Sequence, residues 1–573
     1  MKRSLWLIFW LSLVGLLPSP AASEPPAFTF FEGSQFPLTV YFLSGELPGP
    51  TVMVQGGIQG DEVSGYLSAQ LLTRADVRRG NILIVPRANV PSIHARKRLI
   101  NVDLNRRFDR DYNKFYEDRL ARVIRFLLVG CDAFIHLHEG SGFYHPTWVD
   151  SWRNPRRWGQ SVIIDAQFTD TGLPLANTVS SVLGSLNPAI VPADYQFRLF
   201  NTNTFAKDTD YPDQRKSLTY YAMDTLQIPA LAIEVSKNIH RLGWKVINQL
   251  KATELFLLSF GVEADIPYYT ESEIEKNACR EATVTVNGAP LSEVVEKGLE
   301  AYPGARITAS ATSGGVYDPA AAVFITDRPD LNIIGSPRLA LSPLESIVVK
   351  ADGKTLAQVP VRWKNNSTIS GSGPPLLACW INGRLKFIPA GSSLEAVAGD
   401  RLVIEGIWGA GKTDILNLKG YVSNPRANDG QDAGNEIILD EGNFIGRYLQ
   451  EPERGRGFIA RIVLETPGKK RDEFGLKVVP REVHALRLTD ASGVDHLVSW
   501  TPEGREVIPP GEYVLAGAWS NGPTENLLVT SGQKPVPWGS RFNLMPGDHT
   551  ILTLRQAMTF KPLGSMTISV PNS

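Results

Sequence analysis

A chain of 573 residues is too long for one hydrophobic core, so several domains are expected. Its content, 43% hydrophobic and 20% charged, is that of ordinary soluble globular protein. With a net charge of −1 it offers no basic field for a nucleic acid or an anionic membrane surface.

Lys2 and Arg3 precede an apolar run over 5–17, followed by Pro18-Ser19-Pro20-Ala21-Ala22-Ser23. A charged start, a short apolar stretch and a small-residue zone read as a signal peptide over 1–23, cut near Ala22 or Ser23. An uncleaved membrane anchor is the alternative. No later run is long and apolar enough to span a membrane. Cys131, Cys279 and Cys379 are far apart, form no metal pattern and are read as core residues.

From 28 to 266 strand-like and helix-like segments alternate, which predicts an α/β domain with a mixed, mostly parallel sheet flanked by helices. Strands are expected at 38–43, 51–54, 81–86, 133–138, 161–165 and 230–235, and helices at 63–72, 112–129, 174–186, 217–226 and 241–260. Ligands of such sheets bind beyond the carboxyl ends of the strands. After Pro267 short β-rich runs are punctuated by turn pairs such as Asn287-Gly288, Asp352-Gly353 and Asn382-Gly383. They predict three β-sandwich-like modules at 268–372, 373–482 and 483–573, with the Asn/Ser/Gly/Pro-rich stretch 364–375 as a linker.

Four segments of the first domain carry chemistry. Gln55-Gly56-Gly57-Ile58-Gln59-Gly60-Asp61-Glu62 leaves a strand and enters a helix, and Gln59 and Glu62 are three apart, a spacing that puts two oxygen donors on one side. A helix-capping pair explains the same residues. Arg96-Lys97-Arg98 opens a basic loop that closes on Val102-Asp103-Leu104-Asn105-Arg106; a solvated loop is the bland reading. Phe134-Ile135-His136-Leu137-His138-Glu139-Gly140 is a strand ending on a histidine. His138 sits at the carboxyl end, but His136 lies on the same face and competes with it. Leu231-Ala232-Ile233-Glu234-Val235 places one carboxylate in an apolar strand, where an unpaired charge is costly without a function.

In this order the four segments resemble the zinc carboxypeptidase family, the funnelins. The Gln at 59, where that family usually has His, resembles the branch of bacterial peptidoglycan DL-carboxypeptidases involved in cell shape. The resemblance implies that Gln59, Glu62 and His138 hold one zinc ion and that Glu234 is the general base. It implies that Arg98, or Arg96 in its place, stabilises the oxyanion, and that Asn105 and Arg106 grip the substrate's terminal carboxylate. An amide oxygen suits zinc less well than imidazole, so weaker metal binding or an inactive site is conceivable. The implied reaction is removal of the terminal diaminopimelate from a peptidoglycan stem tripeptide in the periplasm.

After His138, residues 140–159 are rich in Trp and Arg; Trp148 and Trp158, with Thr219 beyond them, are candidate substrate-lining residues. The β modules are expected to offer surfaces to cell-wall proteins. Gly406-Ile407-Trp408-Gly409-Ala410-Gly411-Lys412-Thr413 matches the phosphate-loop pattern, but strand-like alternation follows where a helix is required, so no nucleotide partner is expected. Rival readings are an exported carboxypeptidase of protein C-termini, a deacylase of the succinylglutamate or aspartate type, and a metal-free scaffold that binds wall peptides.

Overall fold

The computed structural model describes residues 27–572, except 279, 281, 313–314, 327, 365–374, 409–413, 423–429, 454 and 466–471. The leader at 1–23, Cys279, most of the 364–375 linker and the end of the phosphate-loop match lie outside the described residues.

The first domain contains strands β1 (Ala27–Phe30), β2 (Leu38–Ser44), β3 (Leu47–Gln55), β4 (Asp76–Val85), β5 (Ala133–Gly140), β6 (Phe143–Tyr144), β7 (Arg153–Asn154), β8 (Ser161–Ile164), β9 (Arg198–Asn201), β10 (Ala230–Ser236) and β11 (Glu263–Asp265). Its helices are α1 (Val63–Leu72), α2 (Val90–Ala95), α3 (Tyr116–Leu128), α4 (Leu175–Leu186), α5 (Leu218–Asp224), α6 (Leu242–Ser259) and α7 (Glu271–Asn277). Among the described residues the main sheet has the order β1-β2-β4-β3-β5-β10-β8-β9, with β11 beside β4. Its centre, β4-β3-β5-β10, runs parallel; β2, β8 and β11 pair antiparallel with it, β1 pairs antiparallel with β2, and β9 pairs parallel with β8.

Burial explains why the central strands are read so readily. Val52, Val54, Phe134, Ile135, Leu137, Leu231 and Ile233 are sealed, because helices cover both faces of a parallel sheet. The strand at 47–55 starts earlier than its apolar run, since Leu47 pairs with Arg79 across a register shift before Thr51. Helix α1 is apolar nearly all round and is buried between β5 and α6. Helix α7 packs on α6 closely enough that a methyl at Gly243 would meet the Glu271 backbone.

Beyond α7 two β modules complete the larger compact unit. One has its core around Val284, Val323, Ile347, Val349 and Val359. The other pairs two four-stranded sheets over Leu377, Leu402, Ile404, Phe474 and Leu476. Gly406 lies within the strand Arg401–Trp408, and the next described element is the strand Ile415–Leu418, not a helix. A separate compact unit over 481–556 and 561–573 folds as two sheets around Leu486, Leu515, Val529, Leu552 and Leu554. Cys131 and Cys379 are free and buried, and burial pushes both thiols up to about 12.

His94 of α2 is enclosed between the sheet domain and the first β module, edge-on to Phe324 at 5.9 Å, and neither ring nitrogen has a hydrogen-bond partner among the described residues. Burial pushes it down to about 4; Asp352 opposes that shift, and Lys350 and Arg87 reinforce it. The unfolded chain therefore takes up this proton near 6.5 and the folded chain only near 4, so folding loses stability as pH falls through that window. Replacing His94 by Leu should flatten the decline by about 3 kcal/mol between pH 6.5 and 4, read from urea unfolding at stepped pH. Equal slopes in both proteins would show that His94 is not the group responsible.

Candidate active site

The site forms where the parallel strands end. β3 runs into the loop carrying Gln59 and Glu62, β5 ends on His138-Glu139-Gly140, and β10 carries Glu234. β5 and β10 are parallel neighbours whose register sets Glu234 directly opposite His138. Register partners share a face, so this pairing puts imidazole and carboxylate side by side.

Gln59, Glu62 and His138 are all buried. His138 Nδ1 lies 2.8 Å from Glu62 Oε2. Burial opposes an imidazolium here, but Glu62, aided by Glu234, outweighs it and raises His138 above its ordinary value. Gln59 Nε2 donates to Asp103 Oδ1 and Oδ2 at 3.2 and 3.3 Å, and its Oε1 accepts from Arg98 Nη1 at 2.9 Å. Arg98 also donates through Nε and Nη2 to Asp103 Oδ2 at 3.1 and 2.8 Å. Burial works to raise Asp103, but Arg98 and the Gln59 amide overcome it and hold the carboxyl below its usual range.

The donor set fits zinc. At 2.8 Å the two groups share a proton, and the same imidazole nitrogen and carboxylate oxygen are donors of the kind zinc takes. Gln59 Oε1 spends one lone pair on Arg98 and retains a second. Among the described residues no three His, Cys, Asp or Glu side chains cluster as a metal site, so a metal held here would need the Gln59 amide as its third donor.

Glu234 Oε2 is enclosed without a hydrogen-bond partner among the described residues. Burial raises Glu234 to about 7, opposed by His138 and increased by Glu62. His136 lies deeper. Its Nε2 is 3.2 Å from Gln55 Nε2, and burial pushes it well below its ordinary value, so His138, not His136, faces Glu62. Arg96 caps α2 in a left-handed conformation (φ 50°), whereas Arg98 reaches Gln59.

Asn105 Oδ1 accepts from Leu218 N at 3.1 Å, tying the loop to α5, and Arg106 Nη1 donates to Asn105 O at 2.7 Å. Burial lowers Arg106, and among the described residues no carboxylate lies within ion-pair distance of its guanidinium. Thr219 Oγ1 is 3.1 Å from Ser217 Oγ and lies close enough to the buried Asp165 carboxylate to favour its ionised form against burial, which raises it. Asp165 also accepts from Thr202 at 3.2 Å and Thr204 at 2.5 Å. Trp158 is stacked between Tyr144 (4.0 Å) and Phe200 (4.3 Å), while Trp148 is 67% exposed and no described hydrogen bond or ring contact ties it to the other site residues.

Several supporting residues have no role assigned from sequence. Glu139 Oε1 accepts from Ser64 N at 2.6 Å and its Oε2 from Lys245 Nζ at 2.9 Å, so a buried ion pair anchors the start of α1 beside Glu62. Gln249 Nε2 donates to the carbonyls of His138 and Ile233 at 3.0 and 3.1 Å, and Lys237 Nζ donates to Asp61 Oδ2 at 2.6 Å. Lys245 and Gln249, four apart and buried on one face of α6, are a legible signal in retrospect. A methyl at Gly140 would lie 2.6 Å from Glu234 Oε2. The same methyl would lie 2.6 Å from Gly159 Cα, so Gly140→Ala should displace both that carboxylate and the facing backbone. If the oxygen takes part in catalysis, kcat falls at least tenfold with metal content unchanged, and an unaltered kcat would mean that it has no catalytic part.

Residues 44–277 match a family described as "Carboxypeptidase controlling helical cell shape catalytic". Over 133 residues the chain is 32% identical to N-alpha-acetyl-L-2,4-diaminobutyric acid deacetylase of Halomonas elongata, spanning 22% of this chain and 37% of that relative's length. Product-bound Csd4 from Helicobacter pylori aligns with a TM-score of 0.45 at 20% identity, over 77% of this chain and 100% of that one. A metallo-carboxypeptidase from Burkholderia cenocepacia aligns with a TM-score of 0.30 at 13% identity, over 42% and 66%. The match over 44–277 bears out, for that part of the chain, the resemblance to a carboxypeptidase family read from the four segments.

Proposed function

We propose that the first domain holds one zinc ion through Gln59, Glu62 and His138 and removes the C-terminal diaminopimelate from peptidoglycan stem tripeptides, in the periplasm, after export by the leader at 1–23. The observation that carries this reading is the meeting, at the carboxyl ends of the central strands, of the Glu62–His138 pair, the Glu234 oxygen and a half-buried Arg106, the last two without a partner among the described residues. A family described by its control of helical cell shape supports a wall peptide as substrate.

Bound there, zinc would polarise the scissile carbonyl and lower the pKa of a water. The chain supplies the rest. Glu234 Oε2 accepts a proton from the attacking water and passes it to the leaving amine. Arg98 donates to the carbonyl oxygen as charge develops on it. Arg106 takes the substrate's terminal carboxylate as a bidentate partner, which makes the reaction exopeptidic. Asn105 spends Oδ1 on Leu218 and directs its Nδ2 hydrogens to the same carboxylate. Trp148, Trp158 and Thr219 line the wall that reads the departing residue, and the β modules meet cell-wall proteins.

Incubation with defined tri-, tetra- and pentapeptide muropeptides, followed by mass spectrometry, should show loss of diaminopimelate from the tripeptide alone. An unchanged tripeptide beside shortened protein C-termini would sink the substrate assignment. Glu234→Gln should keep its metal and its melting temperature yet lose about two to four orders of magnitude in turnover. Glu62→Ala and His138→Ala should each lose zinc by elemental analysis, whereas His136→Ala retains it; the opposite result for the two histidines would reassign the ligand.

A further inference from the structure

We propose that the first β module is a working part of this active site: its Asp352–Gly353 turn braces the loop carrying Gln59 and Glu62, which makes Asp352 and Gly353 positioning residues. The proposal rests on the reading of Gln59 and Glu62 as metal ligands.

The turn joins the antiparallel strands Ser346–Ala351 and Lys354–Trp363, with φ 44° at Asp352 and 77° at Gly353. Successive positive φ values suit a tight two-residue hairpin and favour Gly at the second place. Asp352 is 0% exposed, and its carboxylate accepts from Arg87 Nε and Nη2, both at 2.8 Å, and from Ala320 N at 3.0 Å. Arg87, just past the end of β4, also donates to Gln70 Oε1 of α1 at 2.6 Å and to Tyr317 O at 3.2 Å. A buried bidentate pair gains little net stability over an apolar contact, but it fixes one docking geometry.

Gly353 meets α2. A methyl there would collide with Ile93 O and lie 2.7 Å from Arg96 Nε. The other side of α2 is as tight, since a methyl at Gly60 would overlap the Ser92 carbonyl and one at Gly57 would lie 3.1 Å from Ile93 Cδ1. Backbone bonds lock this second contact: Asn89 N donates to Gly57 O at 2.9 Å and Gly60 N to Lys97 O at 3.0 Å. Helix α2 has six residues and is too short to be stable alone, so its place is set by what grips its two sides. A shift of the turn is thus passed through α2 to the loop between Gly57 and Glu62, and through Arg96 and Lys97 to Arg98.

The test uses full-length protein. Gly353→Ala should bind zinc ten- to a hundredfold more weakly in chelator competition at a temperature where circular dichroism shows it folded, with kcat lowered more than KM is raised. A lowered melting temperature with unchanged zinc affinity in the folded protein would reduce the turn to a structural role and overturn the proposal. Hydrogen exchange on the wild type needs no variant. Zinc should slow amide exchange at 350–357 as well as at 56–62, because coupling between two sites is reciprocal; slowing confined to 56–62 overturns it. Failure of the underlying reading looks different, since Glu62→Ala would then bind zinc as wild type does.

Discussion

His138 and Glu62 meet at 2.8 Å in a buried pocket, and much of the first domain arranges charge around that contact. Each group near it is neutralised by its own partner: Asp61 by Lys237, Glu139 by Lys245, Asp103 by Arg98. A carboxylate left bare in such a place would be expensive, and each pair also ties two segments together. Lys245 connects α6 to the end of β5 and the start of α1, while Arg98 connects the basic loop to the loop of Gln59 and Glu62. Among the described residues the exceptions are Glu234 Oε2, which has no hydrogen-bond partner, and the Arg106 guanidinium, which has no ion-pair partner.

The elements of the first domain were legible because their signals are local. Val63–Leu72 matches its expected helix at both ends, and the central strands carry apolar runs that few other structures tolerate. The candidate residues that the structure brings together were legible as candidates because strand ends and a helix start present them. What sequence could not supply is partnership. Asp103 stands inside a motif quoted for its neighbours Asn105 and Arg106, yet it is the residue that orients both Gln59 and Arg98. Nothing in periodicity shows that Glu234 needs the hydrogen of Gly140, or that Arg87 reaches a turn 265 positions away. That His138 rather than His136 faces Glu62 also rests on a contact made 76 positions apart in the chain.

Aromatic loops illustrate the same boundary. Composition marks 140–159 as unusual, but only packing separates Trp158, held between two rings, from the exposed Trp148. In the second β module the described segments on either side of the phosphate-loop pattern, Arg401–Trp408 and Ile415–Leu418, are strands, and the alternation of Leu416 and Leu418 with Asn417 serves a two-sheet core.

The two buried thiols carry a further consequence. Cys131 sits in the sheet domain and Cys379 in the second β module, and with both pushed up to about 12 neither offers appreciable thiolate at neutral pH. A disulfide reagent can reach them only when the surrounding module opens. In a chain with Cys279 replaced by serine, the two modification rates become separate clocks, each timing how often its own module breathes.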